Sequence, residues 1–223
     1  MEKYLYVPDY IKNPGKDHIK IDAKKKWLKT LEMREGLNSL NFQDTLNNFI
    51  ILNEGVRQIP YLDTRGFLTV GVGFLIGKEN SFLRLNAEKT FKEAADKCLQ
   101  SELKNHGKIS LNCAYKVLNY QLREKRKRIK KKLPFFEDLS MNERIALESL
   151  FFNAEVLLGK KITEHLKNYY LTKNLKDLEK VVYEIEQNSN RKNHIDFIGI
   201  NYRRDREGVM ASNLALDAFI RKG

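Results

Sequence analysis

The sequence predicts an α+β fold: a small N-terminal lobe with a three-stranded β-sheet, joined by a long helix to an all-α lobe. Three observations carry that expectation. The stretch after Asp63–Gly66, itself turn chemistry, sets Phe67, Thr69, Gly71 and Gly73 against Leu68, Val70 and Val72 with a period of two. It is the one strong strand signal in the chain. Downstream, apolar residues recur at the i, i+3, i+4 spacing of helices. Finally, 223 residues with 42% hydrophobic content suit a substantial core and exclude a wholly disordered chain.

In chain order, Pro8 and Asn13-Pro14-Gly15 are turn signals, and Lys24-Lys25-Lys26 opens a helix through Trp27, Leu28 and Leu31. Residues 1–42 read as a partly helical extension of unknown function, and residues 43–223 as the main domain. A packed cap is the plain reading of the extension; a targeting or partner-binding arm is the sharper one. Asp44 is a plausible N-cap for a helix carrying Leu46, Phe49, Ile50 and Ile51, and Gly55 sits where a C′ glycine ends it. The sheet is expected from about residue 59 to 75. Asn86 heads a helix through Phe91, Ala94 and Leu99. Ser110 caps a long one, to about residue 130, with Val117, Leu118, Leu122 and Ile129 on one stripe. Ser140 caps a segment, Ile145–Phe151, apolar nearly all round, which predicts a buried central helix. Further helices are expected over about 163–172, 174–187 and 201–220.

Composition narrows function. No apolar run approaches the roughly 20 residues of a membrane-spanning helix, and Met1–Asp9 has no signal-peptide h-region. The chain carries 41 Lys and Arg against 29 Asp and Glu, net +12, which draws it to polyanions: nucleic acid, an anionic membrane or an acidic cell-wall polymer. Cys98 and Cys113 fit no metal spacing and read as buried free thiols, although a C-x14-C pair could bridge. His18, His106, His165 and His194 are scattered. No metal or other cofactor is expected.

One constellation carries chemistry. Glu54 ends a helix, Asp63 lies nine residues on in the turn that opens the hairpin, and Thr69 lies six beyond that on the strand. Glycoside hydrolysis needs two carboxyls, one to protonate the leaving oxygen and one, ionised, to activate water or attack the sugar. A helix C-terminus disfavours negative charge, which suits Glu54 to the acid role; turn amides favour an ionised Asp63. A Glu at a helix end and an Asp in a turn are each common, so the neighbouring residues decide.

Glu54-Gly55-Val56-Arg57 followed by Tyr61-Leu62-Asp63 and then Gly66, Thr69, Gly71 and Gly73 resembles the signature of the phage lysozyme family, the T-even phage type of muramidase. Its pattern is E-G-x-R, then Y-x-D-x-x-G-x-x-T-I-G-x-G. Asn142–Asn153, ending in Phe151-Phe152-Asn153, resembles the family's buried helix. Gly199–Glu207, with Arg203 and Arg204, is similar to its G-L-x-x-R-R-x-x-E. The resemblance spans about residues 43–220 and implies a lysozyme-like fold. It implies that Glu54 is the general acid and that Asp63 with Thr69 activates water. The reaction implied is inverting hydrolysis of the β-1,4 bond between N-acetylmuramic acid and N-acetylglucosamine in peptidoglycan. Leu75 and Phe152, with Asn153 beside it, match substrate-binding positions. Arg204 matches a supporting arginine near the catalytic Glu, where its charge opposes the helix-end effect. Two departures stand out: Phe74 replaces the family's usual His, and Glu155 replaces a usual Gly.

Arg123–Lys132 holds eight basic residues in ten. Ile129 continues the apolar stripe, so the run belongs to a helix, and no aromatics are interleaved for base stacking. It reads as a patch for an anionic cell envelope, with nucleic-acid binding the minor reading and an inactive, lysozyme-like binding protein the rival class. The expectation is a monomer made in a host cytoplasm, reaching the wall by holin-type release or by delivery in a phage or injected particle.

Overall fold

The computed structural model describes residues 18–35, 41–63, 67–78, 94–187 and 198–211. These form eight α-helices and one three-stranded antiparallel sheet, so the expected α+β class is found. The helices are α1 (His18–Glu35), α2 (Phe42–Glu54), α3 (Ala94–His106), α4 (Leu111–Lys132), α5 (Met141–Asn153), α6 (Lys160–Thr172), α7 (Leu175–Gln187) and α8 (Ile198–Ala211). The strands are β1 (Arg57–Leu62), β2 (Phe67–Gly71) and β3 (Phe74–Lys78), in the order β1-β2-β3. The chain divides into two compact units, one of residues 50–124 and one of residues 1–49 with 125–223. The divisions fall inside α2 and α4. No described helix is long and apolar enough to cross a membrane.

In the unit of residues 50–124 the sheet has two unlike faces. Val70 and Ile76 are buried in a cluster with Leu99, Leu103, Ile109, Cys113, Ala114 and Val117, and Leu68 and Phe74 pack against it. Thr69, between Leu68 and Val70, belongs to the opposite face. It pairs with Tyr61 on β1 and Leu75 on β3, so these three form one row across the sheet. The period of two is therefore real, but it stops at Gly71. Gly71 (φ +65°) and Gly73 (φ +67°) lie in the left-handed region and turn the chain into β3, which runs on to Lys78. Phe74 explains its own departure from the family pattern: it packs on the apolar cluster, where an imidazole would need a polar partner.

Two sequence expectations are corrected here. Cys98 and Cys113 are joined in a disulfide, because α3 and α4 bring their Cα atoms to 5.9 Å, within bridging reach. The cap of α2 is Asn41, three residues before Asp44. The Asn41 Oδ1 accepts the Asp44 N–H at 2.9 Å, and its Nδ2 donates to the Asp44 carboxylate at 2.5 Å. Asp44 is thus the reciprocal partner, at N3, of a capping pair. The Asn86 start of the next helix lies outside the described residues; its body, α3, is present from Ala94.

Other local expectations hold. Ser110 caps α4 through the Cys113 N–H at 3.1 Å and is itself held by the Glu102 carboxylate. Ser140 and Glu143 form a capping box on α5, whose residues from Ile145 to Phe152 are all buried. In the unit of residues 1–49 with 125–223, α5 packs on α8, α8 on α7 and α7 on α6. Helix α1 packs against α8, with Ala23, Trp27, Thr30 and Leu31 buried on one stripe and Lys25 and Lys29 exposed.

Candidate active site

Glu54 is the last residue of α2 and is exposed. The helix stops there because Gly55 takes a left-handed turn (φ +74°) and gives its N–H to the Ile51 carbonyl at 2.7 Å. A Cβ on Gly55 would meet nothing within 4 Å, so its conformation, not space, calls for glycine. A Cβ built on Gly73 would lie 4.0 Å from Glu54 Oε2. The acid therefore sits beside the β2–β3 turn, and a glycine there leaves room in front of it.

Asp63 follows β1 by one residue. Its N–H donates to the Phe67 carbonyl at 2.8 Å, and its Oδ1 accepts the Phe67 N–H at 2.9 Å. The pair closes the loop end of the β1–β2 hairpin and points one carboxylate oxygen at a backbone donor. Thr69 is buried on the central strand, and its hydroxyl donates to the Phe67 carbonyl at 3.2 Å. With that hydrogen engaged, the Thr69 oxygen faces any further partner as an acceptor. Leu75 is its cross-strand neighbour and is about half exposed. Glu54, Asp63, Thr69 and Leu75 all belong to the unit of residues 50–124.

Phe152, Asn153 and Arg204 belong to the other unit. Phe152 is buried at the end of α5, with the Lys125 ammonium 5.5 Å from its ring centroid. Asn153 is exposed, and its Oδ1 accepts from Arg204. Arg204 is fully buried and also pairs with Glu207. Glu207 further accepts from the Ser149 hydroxyl at 2.6 Å and from Arg203 Nε at 2.8 Å. Burial pushes the Glu207 carboxyl up, but Arg204 and Arg203 outweigh it and hold the group below its ordinary value. Sequence reading named Arg204 and missed this network. The signal was there in Arg203-Arg204 and Glu207, which the i, i+3 and i, i+4 spacings put on one helix face.

The basic run also changes character. Arg126 is held by Glu148, at 2.5 and 3.0 Å, and by Gln43. Burial pushes the Glu148 carboxyl up against the pull of Arg126. Arg128 and Lys125 pair with Glu155 at 2.6 and 3.8 Å, and Lys130 pairs with Glu137. Lys132 donates to the Leu158 carbonyl, and Ile129 is buried. Much of the run thus ties the last turns of α4, residues 125–132, to the unit of residues 1–49 with 125–223. Glu155, the departure from the family's Gly, is the carboxylate that receives two of these cations, at the start of the short 3-10 turn Glu155–Leu157. Among the described residues no group of three or more His, Cys, Asp or Glu is placed to hold a metal.

The family model for phage lysozyme matches residues 52–207 of the chain. That span runs from just before Glu54 to Glu207 and includes Asp63, Thr69, Leu75, Phe152, Asn153 and Arg204. No curated relative matches the chain.

Proposed function

The chain belongs to the phage lysozyme family, and from that premise we propose that it is an endolysin-type muramidase. It cleaves the β-1,4 bond between N-acetylmuramic acid and N-acetylglucosamine in peptidoglycan, with inversion. The observation that carries this reading is the arrangement in residues 50–124. Glu54 borders the glycine turn from β2 to β3, Asp63 is tied to Phe67 at the loop end of the β1–β2 hairpin, and Thr69 sits in β2, the strand that both hairpins share.

In this mechanism Glu54 gives its proton to the glycosidic oxygen as the C–O bond breaks. A water attacks the anomeric carbon from the opposite face. Its departing proton goes to Asp63, and Thr69 Oγ1 accepts its other O–H and so fixes its direction. Leu75 supplies apolar surface to the sugar from the row shared with Thr69. No cofactor enters the step. The site of action is the cell wall, reached by holin-type release or by delivery in a phage or injected particle.

Digestion of purified peptidoglycan, with the products identified by mass, tests the reading. New reducing ends are expected. Anhydro-muramic products would mean lytic transglycosylation, and no product at all would favour a binding protein with a lysozyme-like fold.

A further inference from the structure

Arg57 belongs to the sequence motif but takes no part in the chemistry above. It lines an open groove with Gln58, Ile59, Pro60, Tyr61 and Lys108. The wall opposite β1 is built in: Ile109 N–H donates to the Gln58 carbonyl at 2.8 Å, and Gln58 Nε2 donates to the Ile109 carbonyl at 3.0 Å. These two bonds hold Lys108 alongside β1. The lining has two cations and no carboxylate. Of its apolar part, Ile59 is 66% exposed, and Pro60 and Tyr61 are half-buried. The Arg57 guanidinium carbon lies 4.4 Å from the Tyr61 ring centroid. Stacked there, its N–H fork, which lies in the guanidinium plane, suits a carboxylate.

We propose that this groove binds the carboxylate-bearing peptide portion of a peptidoglycan strand, an inference that rests on the muramidase reading and names a specificity element for it. Continuity supports the assignment. Tyr61 is at once a groove residue and the cross-strand partner of Thr69, and Asp63 is two residues further along the same segment. A peptide branching from a sugar held on the Thr69 face reaches the groove along β1. Backbone pairing is not how it is held. Pro60 has no N–H to offer, and the Gln58 carbonyl is already used by Ile109. Recognition falls to the side chains: Arg57 and Lys108 for carboxylates, Ile59 and Tyr61 for apolar groups between them.

The probe is a short peptide stem with free carboxylates, titrated into the full chain, since this needs no turnover. Saturable binding is expected, weakened about tenfold by Arg57→Gln and again by Lys108→Gln, the scale of one charge-assisted hydrogen bond each. Arg57→Lys restores part of the loss, because charge returns without the fork. A second measurement compares KM for peptide-bearing and peptide-free glycan chains; the wild-type preference for the former falls toward one in the double variant. The two readings fail separately. Peptide binding that depends on both cations, without any hydrolysis, leaves the groove standing and removes the muramidase. Hydrolysis with peptide binding or preference indifferent to Arg57 and Lys108 overturns the groove.

Discussion

Glu54→Gln keeps the size of the side chain and removes the proton that the leaving oxygen needs. Turnover on peptidoglycan should fall at least about 100-fold, the lower end of what a positioned acid contributes. The melting temperature should not fall, because Glu54 is exposed at a helix C-terminus, where its negative charge is disfavoured. Asp63→Asn should be similarly crippled, since an amide cannot take the water's proton. A variant of either kind with most of its activity would refute the assigned roles. Thr69→Glu is the sharper test. It puts a carboxylate where the proposed mechanism has the hydroxyl hold water, against the face of the sugar opposite Glu54. A covalent glycosyl-enzyme adduct, seen as added mass on the intact protein, or a switch to retention is expected. At this scale the sequence was informative where spacing is local: Glu54, Gly55, Asp63 and Thr69 lie within sixteen residues. It was silent on the Thr69 hydroxyl's engagement with the Phe67 carbonyl, which depends on the pleat of one strand.

Two elements carry testable stability. The Cys98–Cys113 bridge joins α3 to α4 across a sequence separation of 15, and loop closure of that length is worth about 3 kcal/mol. Denaturant unfolding with and without a reductant, or of Cys98→Ser with Cys113→Ser, should show a loss of that order. Sequence reading favoured free thiols because the spacing alone names no partner; only the packing of α3 on α4 brings the two sulfurs together. Helix α8 holds the second case. Glu207 sits fully buried between Arg203 and Arg204, and removing one side of such a network costs about 3–5 kcal/mol. Its lowered pKa fixes the sign with pH. The unfolded chain holds the proton more tightly, so the contribution is complete above the ordinary value of 4.5 and is lost as pH falls through the lowered one. Wild-type melting temperature should drop steeply below about pH 4.5, and Glu207→Gln, already less stable at neutral pH, should flatten that part of the curve.

At the scale of the whole molecule, the family match begins at residue 52, yet α1, upstream of it, packs on α8 inside it. Helix α1 belongs to the same compact unit as residues 125–223 and packs on α8, with Trp27 fully buried and Leu31 buried beside it. The apolar stripe of α1 was legible in the sequence as Trp27, Leu28 and Leu31, but its destination was not, because α8 lies far along the chain. The structure puts Leu28 on the outside instead, with Ala23 and Thr30 completing the buried stripe. We propose that α1 is a structural part of the enzyme. Trp27→Ala should then cost about 3–5 kcal/mol, the range for emptying a large aromatic site. Trp27→Phe should cost much less, since it keeps most of the ring volume and deletes an indole N–H that has no acceptor among the described residues. Deleting residues 1–40 removes the whole stripe and bares its partner surface on α8, so the truncated chain should be insoluble or melt far below the full chain. Circular dichroism of the purified truncation, followed by its hydrolysis of isolated peptidoglycan, decides the matter. Unaltered melting with full hydrolysis would sink the structural role. If such a truncation then failed to kill intact cells from outside, residues 1–40 would be a delivery element instead.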